Sequence, residues 1–319
     1  MRRDFTFGMA VLAACSFVTP RLSSQQCLGG PQVQDACNRA IDALKTFHPA
    51  AGIIVSGGDP SLGTAQALGG FGHFFVSARV NAVKVAAPNP DTTNGPQTIR
   101  GFVPAPVVEA GVGVWPGLQG GMLAVDALFS ATLVPTHAVD KLTVDSGAAH
   151  LGSMALGLGF GVRVGVWSGM FPIPAVSVSV MRRSLPRLTY GQLAPSSISS
   201  GDAFDFSTDV KATNVRVTAG YHLPLADVAA GFGFDHYSSE GRLRYYDNPP
   251  FSDVATVPFT PRENRAVLFA DAAFHLSLAS LGVELGYQTG QDQHLSTNYS
   301  GFDPKSGHFF GGLGVRVGL

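Results

Sequence analysis

Three points in the sequence set a histidine two residues ahead of a serine: His236-Tyr-Ser238, His275-Leu-Ser277 and His294-Leu-Ser296. Alternate side chains of a strand share a face, so each pair offers an imidazole able to take the proton of a serine attacking an ester. That chemistry also needs a third group to hold the imidazole, and none of the three pairs brings an evident orienting Asn. A pattern found three times in one chain is cheap. Asp235 beside His236 is an acid–base couple by type, but adjacent strand residues face opposite sides. Gly157-x-Gly-x-Gly161 has the spacing of a phosphate loop, yet no helix follows it to present N–H groups to an anion. The chemistry-bearing residues therefore read as no catalytic set, no cofactor and no metal site, with ester hydrolysis kept as the alternative.

The ionised residues are the other candidates, and they are few. Charged residues make up 13% of the 319, against roughly 25% in an ordinary soluble domain. Hydrophobic residues are 45% and the mean hydropathy is +0.19. Too few charges remain to coat a globule, so the chain calls for an apolar solvent over part of its surface. A net charge of −1 leaves no basic field, which excludes nucleic acid as a partner.

Arg2 and Arg3 precede an apolar run from Phe5 to Val18, the outline of an export signal. Cutting after Ser24 gives a mature chain from Gln25; Leu12-Ala13-Ala14-Cys15 also has the form of a lipoprotein acylation site, with an unusually short leader. The ordinary signal, residues 1–24, is the preferred assignment. It leaves Cys27 and Cys37 as an even pair, expected to close as a disulfide in an oxidising compartment.

Residues 25–70 form an N-terminal plug or periplasmic segment with one short helix. Gln32 to Phe47 sets Val33, Cys37, Ala40, Ile41, Leu44 and Phe47 at helical spacing. Gly52-Ile-Ile-Val-Ser56 reads as a plug or edge segment, and as an eleventh strand only if a twelfth exists. From Phe71 the period becomes two. It recurs in ten stretches: Phe74–Ala82, Val108–Val114, Leu123–Leu133, Met154–Val166, Val176–Val180, Val215–Tyr221, Val228–Phe234, Ala266–Leu278, Leu281–Tyr287 and Phe309–Leu319. Strict alternation marks a sheet with two unlike faces. Glycines at 157, 159, 161 and 165, prolines at 172 and 174 and frequent β-branching rule against membrane helices. Long connections, such as Val85–Ala105, Pro135–His150, Arg183–Phe204, Ser239–Asn264 and Gln291–Gly307, alternate with short turns. Trp115 and Trp167 sit at short-turn ends on the parity that faces away from lipid.

Over roughly Phe71 to Leu319 the chain resembles bacterial outer-membrane β-barrel proteins. Their assembly signal is an alternating C-terminal strand ending in an aromatic residue. Phe309, Leu313, Val315, Val317 and Leu319 follow the alternation, and the terminal Leu departs from it. The resemblance implies an all-β fold: one transmembrane antiparallel barrel of residues 71–319, of about ten strands, with twelve as the alternative. It implies a bacterial outer-membrane location, lipid as a partner, and recognition of the last strand by the barrel-assembly machinery. The His-x-Ser form is that of outer-membrane phospholipases, but the Ser-Asn-Gly continuation is missing. Asp235 and His236 are faintly similar to the Asp/His pairs of barrel proteases.

The parity opposite the apolar rows carries Arg79, Glu109, Asp126, Arg163, Arg216, Asp235, Asp271, Glu284 and Arg316, with His73, His275 and His308. These face the lumen. Arg79 with Glu109, Asp126 with Arg163, and Glu284 with Arg316 are expected to pair, since an isolated buried charge costs several kcal/mol. The stretches Gly201–Asp209 and Tyr245–Asp253 read as solvated external loops. The functional expectation is a narrow, porin-like passive channel or a structural surface protein. A lipase-like enzyme, a hydrophobic-ligand transporter or a secreted β-sandwich are the alternatives.

Overall fold

The computed structural model describes residues 27, 31–88, 98–135, 142–144, 148–151, 154–169, 172–190, 204–246 and 254–318. The expected leader, Cys15 and the terminal Leu319 lie outside them. A helix, α1 (Pro31–Ser56), precedes fourteen strands: β1 (Phe74–Pro88), β2 (Thr98–Trp115), β3 (Ala124–Pro135), β4 (Leu142–Val144), β5 (His150–Leu151), β6 (Met154–Trp167), β7 (Ala175–Tyr190), β8 (Phe204–His222), β9 (Ala226–Ser238), β10 (Gly241–Tyr246), β11 (Val254–Phe259), β12 (Arg262–Leu276), β13 (Ala279–Gln288) and β14 (His308–Gly318). Ten close into an antiparallel ring in the order β1-β2-β3-β6-β7-β8-β9-β12-β13-β14, and β14 pairs back on β1 with Val76 opposite Val317. Ten, not twelve, is the strand number.

The period-two rows explain the ring. Leu158, Phe160, Leu268, Leu285, Phe309 and Leu313 all point outward and are each more than half exposed. A belt of that size needs hydrocarbon against it, and closure leaves no unpaired edge. No described helix is long and apolar enough to cross a membrane; the crossing is made by strands.

Several strands run well beyond the sequence expectation. β8 has 19 residues, and at about 3.3 Å per residue and 45° tilt it rises roughly 44 Å, well past an apolar band of about 25 Å. Its first residues belong to the stretch expected to be a solvated loop. Asp205 is buried there against Arg244 of β10, and Asp209 holds Lys211 at 3.1 Å. The long segment Ser239–Asn264 likewise contains the β10–β11 hairpin. Sequence periodicity stops at the membrane surface because there the outer face turns polar, while the backbone pairing continues.

The tryptophans are corrected by bulges. Register shifts between Gly113 and Trp115, and between Gly165 and Trp167, set Trp115 opposite Val125 and Trp167 opposite Val176. An extra residue flips all later side chains to the other face. Both indoles are exposed on the outside, beside short turns.

Helix α1 also differs from expectation. It is 26 residues long, passes through Pro49 and absorbs Gly52–Ser56. Amphipathic spacing is lost in its second half because the barrel wall surrounds it: every residue from His48 to Ala65 is buried. No polar face is needed there.

Candidate functional site

The N-terminal segment threads the lumen from the long-loop end to the short-turn end. At the loop end, the Cys27–Cys37 disulfide and Ala40 pack on Leu243, Tyr245 and Val257 of the β10–β11 hairpin. One turn further in, buried Asp42 accepts the backbone N–H groups of Ser296 (2.9 Å) and Thr297 (3.0 Å) and the hydroxyl of Ser296 (2.9 Å). The connection between β13 and β14 thus folds over the helix. Deeper, Ile53 and Ile54 pack on Val83, Val267, Phe269 and Phe310, wall residues from three strands. Leu62 then lies against Gly282, and Leu68 against Phe75 near the short turns. The chain leaves at Gly70, so close to Gly113 that a side chain at Gly113 would overlap the Gly70 backbone.

The inward charged residues hold this segment. Where α1 ends, its last carbonyls have no helical partners and carry the negative end of its dipole. Arg216 donates to the carbonyls of Gly57 (2.9 Å) and Gly58 (3.0 Å), Arg79 to Asp59 (3.0 Å) and Asn81 to Ile54 (3.3 Å). Glu284 accepts the next two backbone N–H groups, Gly58 (3.0 Å) and Asp59 (2.6 Å). Asp126 accepts Leu68 N–H at 3.1 Å, and Arg163 donates to Ser61. The wall therefore solvates a stretch of backbone that neither water nor secondary structure satisfies.

Arg79 and Glu109 meet at 3.1 Å, and Asp126 and Arg163 at 2.8 Å, all buried. Glu284 and Arg316 do not pair. Glu284 turns to the segment and to Arg79 at 3.7 Å, while Arg316 lies over the Phe75 ring at 4.7 Å. Equal height on neighbouring strands could not reveal this, because the competing partner comes from the lumen. Asp235 grips Arg216 and accepts the Tyr237 hydroxyl at 2.5 Å. Asp271 and His308 are buried, His275 is half-buried, and His73 is exposed at the short-turn rim. Arg183, which joins Glu109 (3.0 Å) to Asn214 (2.8 Å), and Arg265, which meets Glu263 (3.1 Å), escaped the sequence reading. Both lie in strand extensions, where apolar alternation no longer signals which side is inward.

Of the three His-x-Ser pairs, the one at His236 acquires an Asn partner. On the outer face, β12 sets Asn264 opposite His236, and His236 Nδ1 meets Asn264 Oδ1 at 2.8 Å. Ser238 shares that face and lines a cleft of 560 Å³ with Arg182, Arg187, Lys211, Arg242 and Arg262. Exposed Phe232 and Phe234 lie on the same row directly below, so the cleft sits at the upper edge of the apolar belt.

No known family matches the sequence, and no curated protein does. Among solved structures the chain is similar to the outer membrane protease OmpT of Escherichia coli, at 11% identity, covering 77% of this chain and 96% of that one with a TM-score of 0.40. It is similar to the translocator domain of the autotransporter NalP of Neisseria meningitidis, at 10% identity, covering 92% and 99% with a TM-score of 0.40. The attachment invasion locus protein Ail of Yersinia pestis gives 7%, 78%, 99% and 0.30. These proteins differ in what they do, and at such identity the likeness is one of architecture. The chain is a closed, ten-stranded antiparallel β-barrel with its lumen occupied by its own N-terminal segment.

Proposed function

We propose that the protein is a sealed structural barrel of the outer membrane, in which residues 25–70 act as a plug for the barrel of residues 71–319, and that its work is done on its outer surfaces. The observation that carries this is the continuous burial from His48 to Ala65, with Arg216, Glu284 and Arg79 bonded to that backbone. A passive channel would keep such side chains free to face ions. The test is conductance in planar bilayers. The intact protein stays silent, and a form lacking residues 27–58 opens; steady conductance from the intact, disulfide-closed protein would return the channel to favour. Outer-membrane lipid and, through β14, the barrel-assembly machinery are the partners this placement requires.

A second reading is favoured by the His236–Asn264 contact. With Nδ1–H donated to Asn264, His236 keeps the Nε2 lone pair for a proton, and Ser238 stands two residues on along the same strand, the set of groups used in serine acyl transfer. Ser238 Oγ would attack an ester carbonyl while His236 takes its proton. The proton passes to the departing alcohol, and water then hydrolyses the acyl-serine. Five cations along the cleft suit the phosphates of the ester's headgroup. Release of fatty acid from mixed phospholipid–detergent micelles, lost in both S238A and H236A with heat-modifiable folding intact, supports this activity. Equal release by wild type and S238A rejects it.

A further inference from the structure

The short-turn rim holds a cluster that the plug does not use. His222 closes β8 opposite Asp227, and Asp227 is in turn opposite Ala273 of β12. His275 lies two residues beyond Ala273 on the same face, so register alone brings the three side chains together on the inward parity. The His275 N–H donates to Leu225 O at 3.0 Å, tying the end of β12 to the β8–β9 turn. His222 Nδ1 lies 2.6 Å from Asp227 Oδ1, and His275 Nε2 lies 3.4 Å from the same oxygen. One ligand atom from each residue falls within 4.8 Å of the others.

His275 supplies a separate indication. Its Nε2 is buried and makes no hydrogen bond, while Nδ1 meets the Ser280 hydroxyl at 3.1 Å. With Nδ1–H donated to Ser280, Nε2 carries its lone pair toward Asp227, the orientation that outer-shell hydrogen bonds impose on metal-bound imidazoles.

We propose that His222, Asp227 and His275 bind a divalent transition-metal cation of the zinc type at the periplasmic mouth of the barrel. Two imidazoles and one carboxylate are a donor set for zinc or copper and select against calcium and magnesium, which seek oxygen. Bonds of about 2.0–2.1 Å in a tetrahedron put neighbouring ligand atoms about 3.3 Å apart, close to the Asp227–His275 separation. The exposed His222 ring opens its hydrogen bond to reach the same spacing. The fourth position faces a cavity of 440 Å³ bordered by Arg316, which favours water or an anion there. Such an ion would bind β8, β9 and β12 together below the plug's exit.

Untagged, EDTA-treated barrel in detergent is titrated with Zn(II) against a chromogenic chelator, and in parallel with Ca(II). The expected result is one Zn(II) per barrel and no Ca(II). H275A and D227A each weaken Zn(II) at least about tenfold, and H294A, which alters an exposed His–Asp pair elsewhere, does not. Heat-modifiable gel mobility shows that each variant remains folded. Equal Zn(II) binding by wild type and a folded H222A/H275A form, no binding by wild type, or loss in H294A overturns the proposal.

Discussion

Glu284 Oε2 accepts the backbone N–H of Asp59 at 2.6 Å, and its other oxygen accepts Gly58 N–H at 3.0 Å. A wall carboxylate thus acts as the end-stop of the plug. In E284Q one oxygen becomes an amide donor facing an N–H donor. A buried charged hydrogen bond is worth roughly 1.5–3 kcal/mol, so the heat-modification midpoint should fall and current bursts should appear in bilayers. An unchanged midpoint with a silent bilayer would show that Glu284 does not retain the plug.

Gly282 leaves the space that Leu62 fills, since a Cβ there would stand 2.6 Å from Leu62 Cγ. G282A should cost about 1–3 kcal/mol by overpacking, and L62A about 2–5 kcal/mol by emptying the site. In L62A/G282A the methyl occupies vacated room, so the combined loss should undercut the sum by at least about 1 kcal/mol. Strict additivity in denaturant unfolding would mean the two residues do not touch.

The chain has two tryptophans, both on the outside at the short-turn rim. Quenching of their fluorescence should be strongest with lipids brominated near the headgroup and weak with bromine near the bilayer centre. Equal quenching by both would place the bulges wrongly.

Asp42 clasps the β13–β14 connection, and its removal in D42A should cost roughly 1.5–3 kcal/mol locally. Trypsin cleavage at Lys305 on intact cells should speed up accordingly. Burial, with Asp42 beside it, holds the Tyr299 hydroxyl above its usual range. The folded clasp therefore resists losing that proton more than the free loop does. Its stability is complete below about pH 10 and declines above it, which loop proteolysis measured against pH would trace. A rate independent of pH would detach Tyr299 from the clasp.

Serine replacement of Cys27 and Cys37 should free the outer end of α1, at about 2–3 kcal/mol for a crosslink of 10 residues' separation. Hydrogen exchange in residues 31–41 would report it, with residues 48–56 unaffected because the wall still encloses them.

Much of the barrel was legible in the order of residues. Phe160 or Leu313 on one parity and Arg163 or Glu284 on the other need only a period of two to declare lipid and lumen. Long and short connections gave the orientation. Asn264 could not be matched to His236 in that way, because the two are 28 residues apart in sequence and meet only through the β9–β12 register. Trp115 and Trp167 face opposite to their sequence parity for a related reason: a bulge is a property of a strand pair and leaves no mark on periodicity.

The sequence alone determined a two-faced, ten-strand wall and a cysteine pair, because each is a local pattern along the chain. Tertiary structure decided what the lumen holds. Whether Glu284 meets Arg316 or the Asp59 backbone depends on which group, from anywhere in the chain, most needs a partner once water is gone. That competition among distant groups has no period and no spacing, so only the closed barrel with α1 inside it could resolve it.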